Sequence, residues 1–395
     1  MKIRSIESLH CDAGWRVFSY LKIVTDEGLT GYSEYNETYG SKGVTAVIEK
    51  LTPMVVGQDP LKHERIFAGL YATTRAAPGG INAQAIAAIE NALLDIKGKA
   101  LGVPVHALLG GAVRDRLRLY WSHCGTYRMN EASAALLGKP PLKSLQDVER
   151  LGAEVPQRGF TALKTNIFVF EDGPRLHMPG FAWDPAGPQV PELNAERDVI
   201  EALRGQLEAL RAGAGPDVDI LLDLNFNFKV EGYLKTMRAL DDLGLFWFEL
   251  DIYDPKALAL IRRSVRTPVA SCESLYGIRE FRPYFEQQSM DVAIVDVPWN
   301  GIWQSYKIAA MADAHEVNVA PHNFYGHLST LMSAHFCAAL PNFRIMEIDV
   351  DDVAWKDDLV TEPPEIVDGY LIVPQKPGWG TDVNEEAVRA HPPKG

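Results

Sequence analysis

Three apolar runs in the middle of the chain each stop on an acid: "DILLDLN" at Asp223, "LFWFELD" at Glu249 and "PVASCES" at Glu273. Three later runs stop on Asp296 ("VAIVDVP"), His322 ("VNVAPHN") and Glu347 ("RIMEID"), and the six polar residues follow one another at intervals of 23 to 26 residues. If each run is a strand of one parallel sheet, the first three carboxylates come from consecutive strand ends and meet around one point. Unpaired, they would repel and raise one another's pKa values, so the arrangement calls for a cation. Hard oxygen ligands on rigid strands suit Mg²⁺, with Mn²⁺ as its substitute. A single strand-end acid is more often a helix cap or a lysine partner; three in register reverse those odds.

Asp296 and His322 follow from the next two strand ends. A carboxylate that accepts from one imidazole nitrogen fixes the tautomer and raises the basicity of the ring, leaving the other nitrogen to take a proton from a substrate. Glu347, at the last strand end, could give a hydrogen bond or a proton to a developing oxyanion if the other acids raise its pKa. A salt-bridged barrel-end glutamate is the competing reading. Upstream, "LKTNIF" turns Lys164 and Asn166 to one face of a strand and Thr165 to the other. A lysine on that face meets the acids, and the amide beside it can hydrogen-bond but has no useful proton affinity near neutral pH.

The elements that must position these groups are βα units. Strands alternating with helices at this pitch imply a parallel sheet. Adding "LRLYWSHCG" and "FTALKTN" upstream gives eight strands, the count of a TIM-type barrel with its chemistry at the C-terminal strand ends. Lys164 to Asp223 spans 59 residues, and the excess is a Pro-, Gly- and aromatic-rich loop over 167–193, as expected of a lid or binding element. Ahead of the barrel, Lys2 to His10, Phe18 to Thr25 and Thr30 to Tyr35 alternate like an antiparallel meander, and Ala83 to Lys99 has the periodicity of an amphipathic helix. The expected organisation is an α+β capping domain over 1–112, a barrel over 113–348, and an acidic, Pro-Gly-textured segment over 349–395 that returns to the cap.

The order of Lys164, Asp223-Leu224-Asn225, Glu249, Glu273, Asp296, His322 and Glu347 behind an α+β domain resembles the enolase superfamily and, within it, the mandelate racemase subgroup. The resemblance spans nearly the whole chain. It implies a modified TIM barrel, (β/α)7β, with a capping domain, and Mg²⁺ held by Asp223, Glu249 and Glu273. It also implies abstraction of the proton α to a carboxylate to give a metal-stabilised enediolate. Such sites pair a Lys or His base with Mg²⁺. The capping loops 11–16 and 36–43 are similar to the family's specificity loops, which makes Trp15 and Arg16 candidates for substrate contact, alongside Asn225.

The departure from the family pattern is Asn166, where the subgroup's Lys-x-Lys carries its second base. Lys164, one pleat deeper, then serves to neutralise the substrate carboxylate. Racemisation by direct proton exchange needs an acid/base on each face of the substrate; β-elimination of water does not. The expected reaction is dehydration of an acid sugar, with His322 as base and the same imidazolium, Glu347 or a lid residue protonating the departing hydroxyl. His177, in the loop segment "GPRLHMPGF", is the lid candidate. An epimerase, racemase or cycloisomerase on the same enediolate is the alternative and would draw a second acid/base from Lys164 or the loop. A catalytically silent binding protein is disfavoured by the retained acids and dyad, and a metallohydrolase by the absence of His-x-His at the first strand end, where His123 stands alone.

Bulk composition narrows the partners. The formal charge of -13 on 395 residues, with 23% charged and 47% hydrophobic, excludes nucleic acid and anionic membrane, which need a basic footprint. Four scattered cysteines (Cys11, Cys124, Cys272, Cys337) without a CxxC pair read as reduced thiols. With no apolar signal core in "MKIRSIESLHCD" and no run of membrane-spanning length, the expectation is a cytoplasmic, homo-oligomeric enzyme acting on a small-molecule carboxylate.

Overall fold

The computed structural model describes residues 1–171, 173–180 and 193–394; the rest of the long loop expected over 167–193, with the aromatic stretch that follows Gly180, lies outside the described residues. The chain opens with an antiparallel meander, β1 (Ile3–Asp12), β2 (Val17–Thr25) and β3 (Thr30–Asn36), followed by helices α1 (Val44–Val55), α2 (His63–Thr74) and α3 (Gly80–Leu101). One face of the meander supplies Ile3, Leu21, Ile23 and Tyr35 to a core closed by Ile48, Leu51, Ile86, Ile89 and Leu93. Gly31 is required by contact: a Cβ there would lie 2.3 Å from the Ala92 carbonyl oxygen of α3.

The periodicity of α3 predicts one polar face, but Gln84 to Ile96 are all buried. The helix is clamped between the meander and the barrel, and a helix covered all round has no solvent face to mark. Its polar residues bond across the domain junction instead: Asn91 donates to the Val297 carbonyl at 3.2 Å and accepts from the Ile302 N–H at 2.8 Å, and Gln84 donates to the Tyr276 hydroxyl at 2.9 Å.

The barrel strands are β4 (Arg116–Ser122), β5 (Ala162–Thr165), β8 (Asp219–Asp223), β9 (Trp247–Glu249), β10 (Val269–Ser271), β11 (Val292–Asp296), β12 (Asn318–His322) and β13 (Met346–Asp349). A short antiparallel hairpin, β6 (Phe168–Val169) and β7 (Arg175–Leu176), interrupts the series after β5. The eight strands pair in parallel in chain order, and β13 returns to β4. The ring closes between β12 and the approach to β13, where the Val319 N–H donates to the Asn342 carbonyl at 2.8 Å and the Arg344 N–H to the Val319 carbonyl at 2.9 Å. A helix follows each of the first seven strands and none covers the eighth, which is the (β/α)7β barrel.

Beyond Asp349 the chain forms the hairpin β14 (Ile366–Val367) and β15 (Tyr370–Ile372), and β15 adds antiparallel to the lower half of β4. It then reaches the cap: the Trp379 indole donates to the Tyr32 carbonyl at 2.7 Å, Lys99 pairs with Asp382 at 2.5 Å and Lys22 with Glu385 at 2.5 Å. Among the described residues no helix is long and apolar enough to cross a membrane.

Candidate active site

The barrel interior is a hydrophobic plug of Tyr120, Ala162, Leu221, Trp247, Ala270, Ile294, Ala320 and Ile345. Strand side chains alternate, so the residue two positions on must face the same lumen one layer higher. Those residues are Ser122, Lys164, Asp223, Glu249, Asp296, His322 and Glu347, all buried. Only β10 breaks the rule. Two beyond Ala270 stands Cys272, which is packed in the outer core with a left-handed backbone (φ 87°), and this extra kink lets Glu273 rather than its neighbour enter the site. Asp251 holds the kinked segment, accepting from the Cys272 N–H at 2.7 Å, the Ser274 N–H at 3.0 Å and the Ser274 hydroxyl at 2.8 Å.

His322 and Asp296 meet as a dyad, Nδ1 to Oδ2 at 2.5 Å. Asp296 also accepts from the Tyr325 hydroxyl at 2.7 Å and the Trp299 N–H at 2.7 Å, so its orientation is fixed from three sides. The other imidazole nitrogen, Nε2, lies 3.5 Å from Glu273 Oε1. Burial opposes the imidazolium, but the charges of Glu273 and Asp296 outweigh it and push His322 up to about 10.

Lys164 stands buried among the acids of the lumen. Its ammonium lies 2.8 Å from Glu249 Oε1, 3.0 Å from Glu347 Oε1 and 3.5 Å from Asp223 Oδ2, over the ring of Tyr120. In this arrangement its charge is balanced by three protein carboxylates, two of which, Asp223 and Glu249, are among the acids expected to hold the metal. Glu347 is likewise engaged by the protein. Besides Lys164 it accepts from the Asn323 N–H at 2.6 Å and from the Ser122 hydroxyl. Burial opposes its charge, but Lys164 and His322 prevail and hold its pKa low. Of the three acids around Lys164, Glu249 is the one that burial pushes up, to about 7.

Burial likewise raises the Glu273 carboxyl well above its ordinary value. As placed, the side chains of Asp223 and Glu249 turn to Lys164 and that of Glu273 to His322, and among the described residues no three His, Cys, Asp or Glu side chains converge at ligating distance. The donor chemistry fits a hard divalent cation nonetheless. Three oxygen acids on adjacent strand ends, Asp223 and Glu249 buried and Glu273 partly exposed, outnumber the single ammonium between them, and a cation would relieve the excess.

Asn166, just past β5, is fully engaged: its Oδ1 accepts from the Thr126 hydroxyl at 2.6 Å and its Nδ2 donates to Asn225 Oδ1 at 3.1 Å. Asn225 has a left-handed backbone (φ 45°), and its N–H donates to Asp223 Oδ1 at 2.9 Å, so the amide pair braces the Asp223 turn. Thr165 faces outward to Gln206, as alternation requires.

The capping loop delivers Arg16 and Trp15. A solvent-facing arginine is the ordinary expectation for such a loop, yet Arg16 is buried against Asp349 (2.8 Å) and Asp352 (2.6 Å) and also donates to the Phe324 carbonyl. Its charge is balanced by these two acids of the barrel end. Trp15 lies on Tyr127 with ring centroids 4.2 Å apart. His177 donates its backbone N–H to the Ile167 carbonyl at 2.9 Å and stacks on Phe228 at 6.2 Å; its buried Nε2 has no partner among the described residues. Ser122, His123, Asp349, Asp251 and Tyr325 escape the sequence reading. Ser122 and Asp349 could have been found by carrying the period of two outward from Tyr120 and Glu347.

Two family models match this chain: the mandelate racemase / muconate lactonizing enzyme N-terminal domain over residues 13–110, and the enolase C-terminal domain-like model over residues 146–387. A D-xylonate dehydratase of Haloferax volcanii is 29% identical over 94% of this chain and 84% of its own length. A D-galactonate dehydratase of Variovorax paradoxus is 29% identical over 98% and 94%. A Burkholderia xenovorans structure, provisionally named L-alanine-DL-glutamate epimerase and bound to magnesium and fumarate, is 56% identical with a TM-score of 0.96, covering 100% of this chain and 96% of that one. The two matched models together span both the cap and the barrel, and the chain belongs to the enolase superfamily, in its mandelate racemase and muconate lactonizing enzyme branch.

Proposed function

We propose that this enzyme removes the proton α to the carboxylate of an acid sugar and expels the β-hydroxyl as water, giving a 2-keto-3-deoxy acid. The observation that carries the reading is Asn166. The position that would hold a second base is a buried amide locked to Thr126 and Asn225, while His322 keeps its carboxylate partner. One base suffices for elimination and does not suffice for two-sided proton exchange. The D-xylonate and D-galactonate dehydratase relatives support the same class.

We assign Asp223, Glu249 and Glu273 as the residues that would hold Mg²⁺, with Mn²⁺ as substitute; the magnesium in the Burkholderia structure supports the metal. A divalent cation there would draw charge from the substrate carboxylate and acidify the α carbon. With the Glu273 charge drawn to such a cation, the imidazole of His322, its Nδ1 fixed by Asp296, would be free to take the α proton on Nε2. Lys164 keeps Glu249 and Glu347 in place below, and Trp299, Phe324 and Tyr325 wall the imidazole from water. Four unpaired, buried cysteines support a cytoplasmic setting.

The epimerase reading draws on the provisional name of the Burkholderia structure and requires a second acid/base. Incubating the enzyme and Mg²⁺ with a panel of aldonic and aldaric acids while following 2-keto acid formation separates the two. Dehydration of at least one acid is expected; inversion at the α carbon without keto acid would overturn the reading.

A further inference from the structure

Elimination needs an acid for the departing hydroxyl, and the groups around the dyad offer few. Glu347 is an acceptor on all sides, the Tyr127 hydroxyl is committed to Asp349 at 2.8 Å, and Lys164 is enclosed by acids. His123, at the end of β4, is different. Its Nδ1 lies 2.9 Å from Asp349 Oδ1, which makes a second imidazole–carboxylate dyad on the same barrel mouth. Both imidazoles flank one ring: the His322 centroid is 5.1 Å and the His123 centroid 6.1 Å from that of Phe324. The Ser122 hydroxyl, 3.1 Å from His123 Nδ1, also bonds Glu347, so the second dyad is continuous with the floor of the site.

The free end of His123 is what matters. Its side chain is 20% exposed, and Nε2 has no hydrogen-bond partner among the described residues and is not one of the buried orphan atoms. With Nδ1 held, Nε2 is the ring nitrogen left to meet a ligand. The backbone is left-handed there (φ 47°), a conformation a non-glycine residue adopts at a cost and one found where a side chain must be aimed. Asp349 remains ionised to support an imidazolium: burial opposes its charge, but the His123 ring and the Arg16 guanidinium hold its carboxyl well below the usual range.

We propose that His123, oriented by Asp349, is the acid that protonates the departing β-hydroxyl. This deepens the dehydratase reading and rests on it. The step balances without a co-reactant. His322 Nε2 takes the α hydrogen as a proton, and the C–H electron pair becomes the Cα–Cβ double bond. The Cβ–O bond breaks with its pair going to oxygen, which takes the His123 Nε2 proton and leaves as water. The resulting enol tautomerises to the 2-keto acid, and solvent reprotonates His123.

The test uses the full-length enzyme with Mg²⁺, the best acid-sugar substrate and its β-fluoro analogue, since fluoride departs without a proton. H123Q is expected to lose dehydration by about 10²- to 10⁴-fold, the range of general acid catalysis. Solvent deuterium exchange at the α carbon and fluoride release should stay within about threefold of wild type if acid transfer alone is lost. Dehydration by H123Q at the wild-type kcat, or a raised KM alone, would overturn the assignment. So would a parallel fall in exchange, dehydration and fluoride release, which marks a structural role. Wild-type enzyme that forms no 2-keto acid overturns the dehydratase reading itself, and this assignment with it.

Discussion

Arg16 of the capping loop and Asp349 of the last barrel strand meet at 2.8 Å although 333 residues separate them in the chain. Both are buried, and Asp349 also bonds His123 and Tyr127. The pair is therefore one of the points at which the cap is fastened to the barrel, and it shares Asp349 with the second imidazole. Cutting it by Arg16→Met leaves Asp349 without its strongest fixed cation in a buried site, while Asp352 keeps Lys356 at 2.7 Å. Removing one partner of a buried pair costs about 3–5 kcal/mol. Urea unfolding of R16M should show a loss of about that size, and Arg16→Lys should recover only part of it because a point charge cannot span Asp349 and Asp352 together. Unchanged stability would mean that the latch is ornamental.

Lys164→Met should destabilise the metal-free protein by about 3–5 kcal/mol, since it strands Glu249, Glu347 and Asp223 without a cation. The same variant reports on the metal assignment. If Asp223, Glu249 and Glu273 hold a divalent ion, millimolar Mg²⁺ should restore more stability to K164M than it adds to wild type. Equal increments in thermal melts of the two proteins would count against an ion at those acids.

Replacing His322 by Asn should abolish α-proton exchange in D₂O, followed by NMR, by at least about 10²-fold. Asp296→Asn should impair it less completely, because Tyr325 and Trp299 would still hold the side chain in place but the imidazolium would lose its counter-charge. Exchange that persists in H322N would place the base elsewhere, with His177 the next residue to replace.

These expectations could be framed from sequence because strand alternation converts a list of polar strand ends into a ring. Seven of those ends follow a buried lumen residue by two positions. What alternation could not give was pairing across the chain. Nothing near Lys164 announces that its partners are 59 residues and more away, and nothing near Arg16 announces Asp349. Glu273 was legible by type and spacing but breaks the period of two, and only the left-handed Cys272 explains how it enters the site. In α3 the apolar pattern was legible and its meaning was not, because a helix buried by two domains satisfies its polar residues inside the protein.

Buried neutral histidine sets the acid limit of the fold. His335 is fully buried; its Nδ1 accepts from the His106 N–H at 3.2 Å and its Nε2 donates to the Trp379 carbonyl at 3.1 Å. A second ring proton would point Nδ1–H at another N–H, and burial, the largest cause, lowers His335 to about 3. The folded pKa lies below the unfolded one, so this contribution to stability is complete above about pH 6.5 and is lost as pH falls toward about 3. The slope is at most about 1.4 kcal/mol per pH unit. His335→Gln keeps a donor and an acceptor but cannot take the proton. Urea midpoints measured from pH 7 to pH 4 should fall less steeply for H335Q than for wild type, and parallel slopes would show that acid unfolding begins at another group.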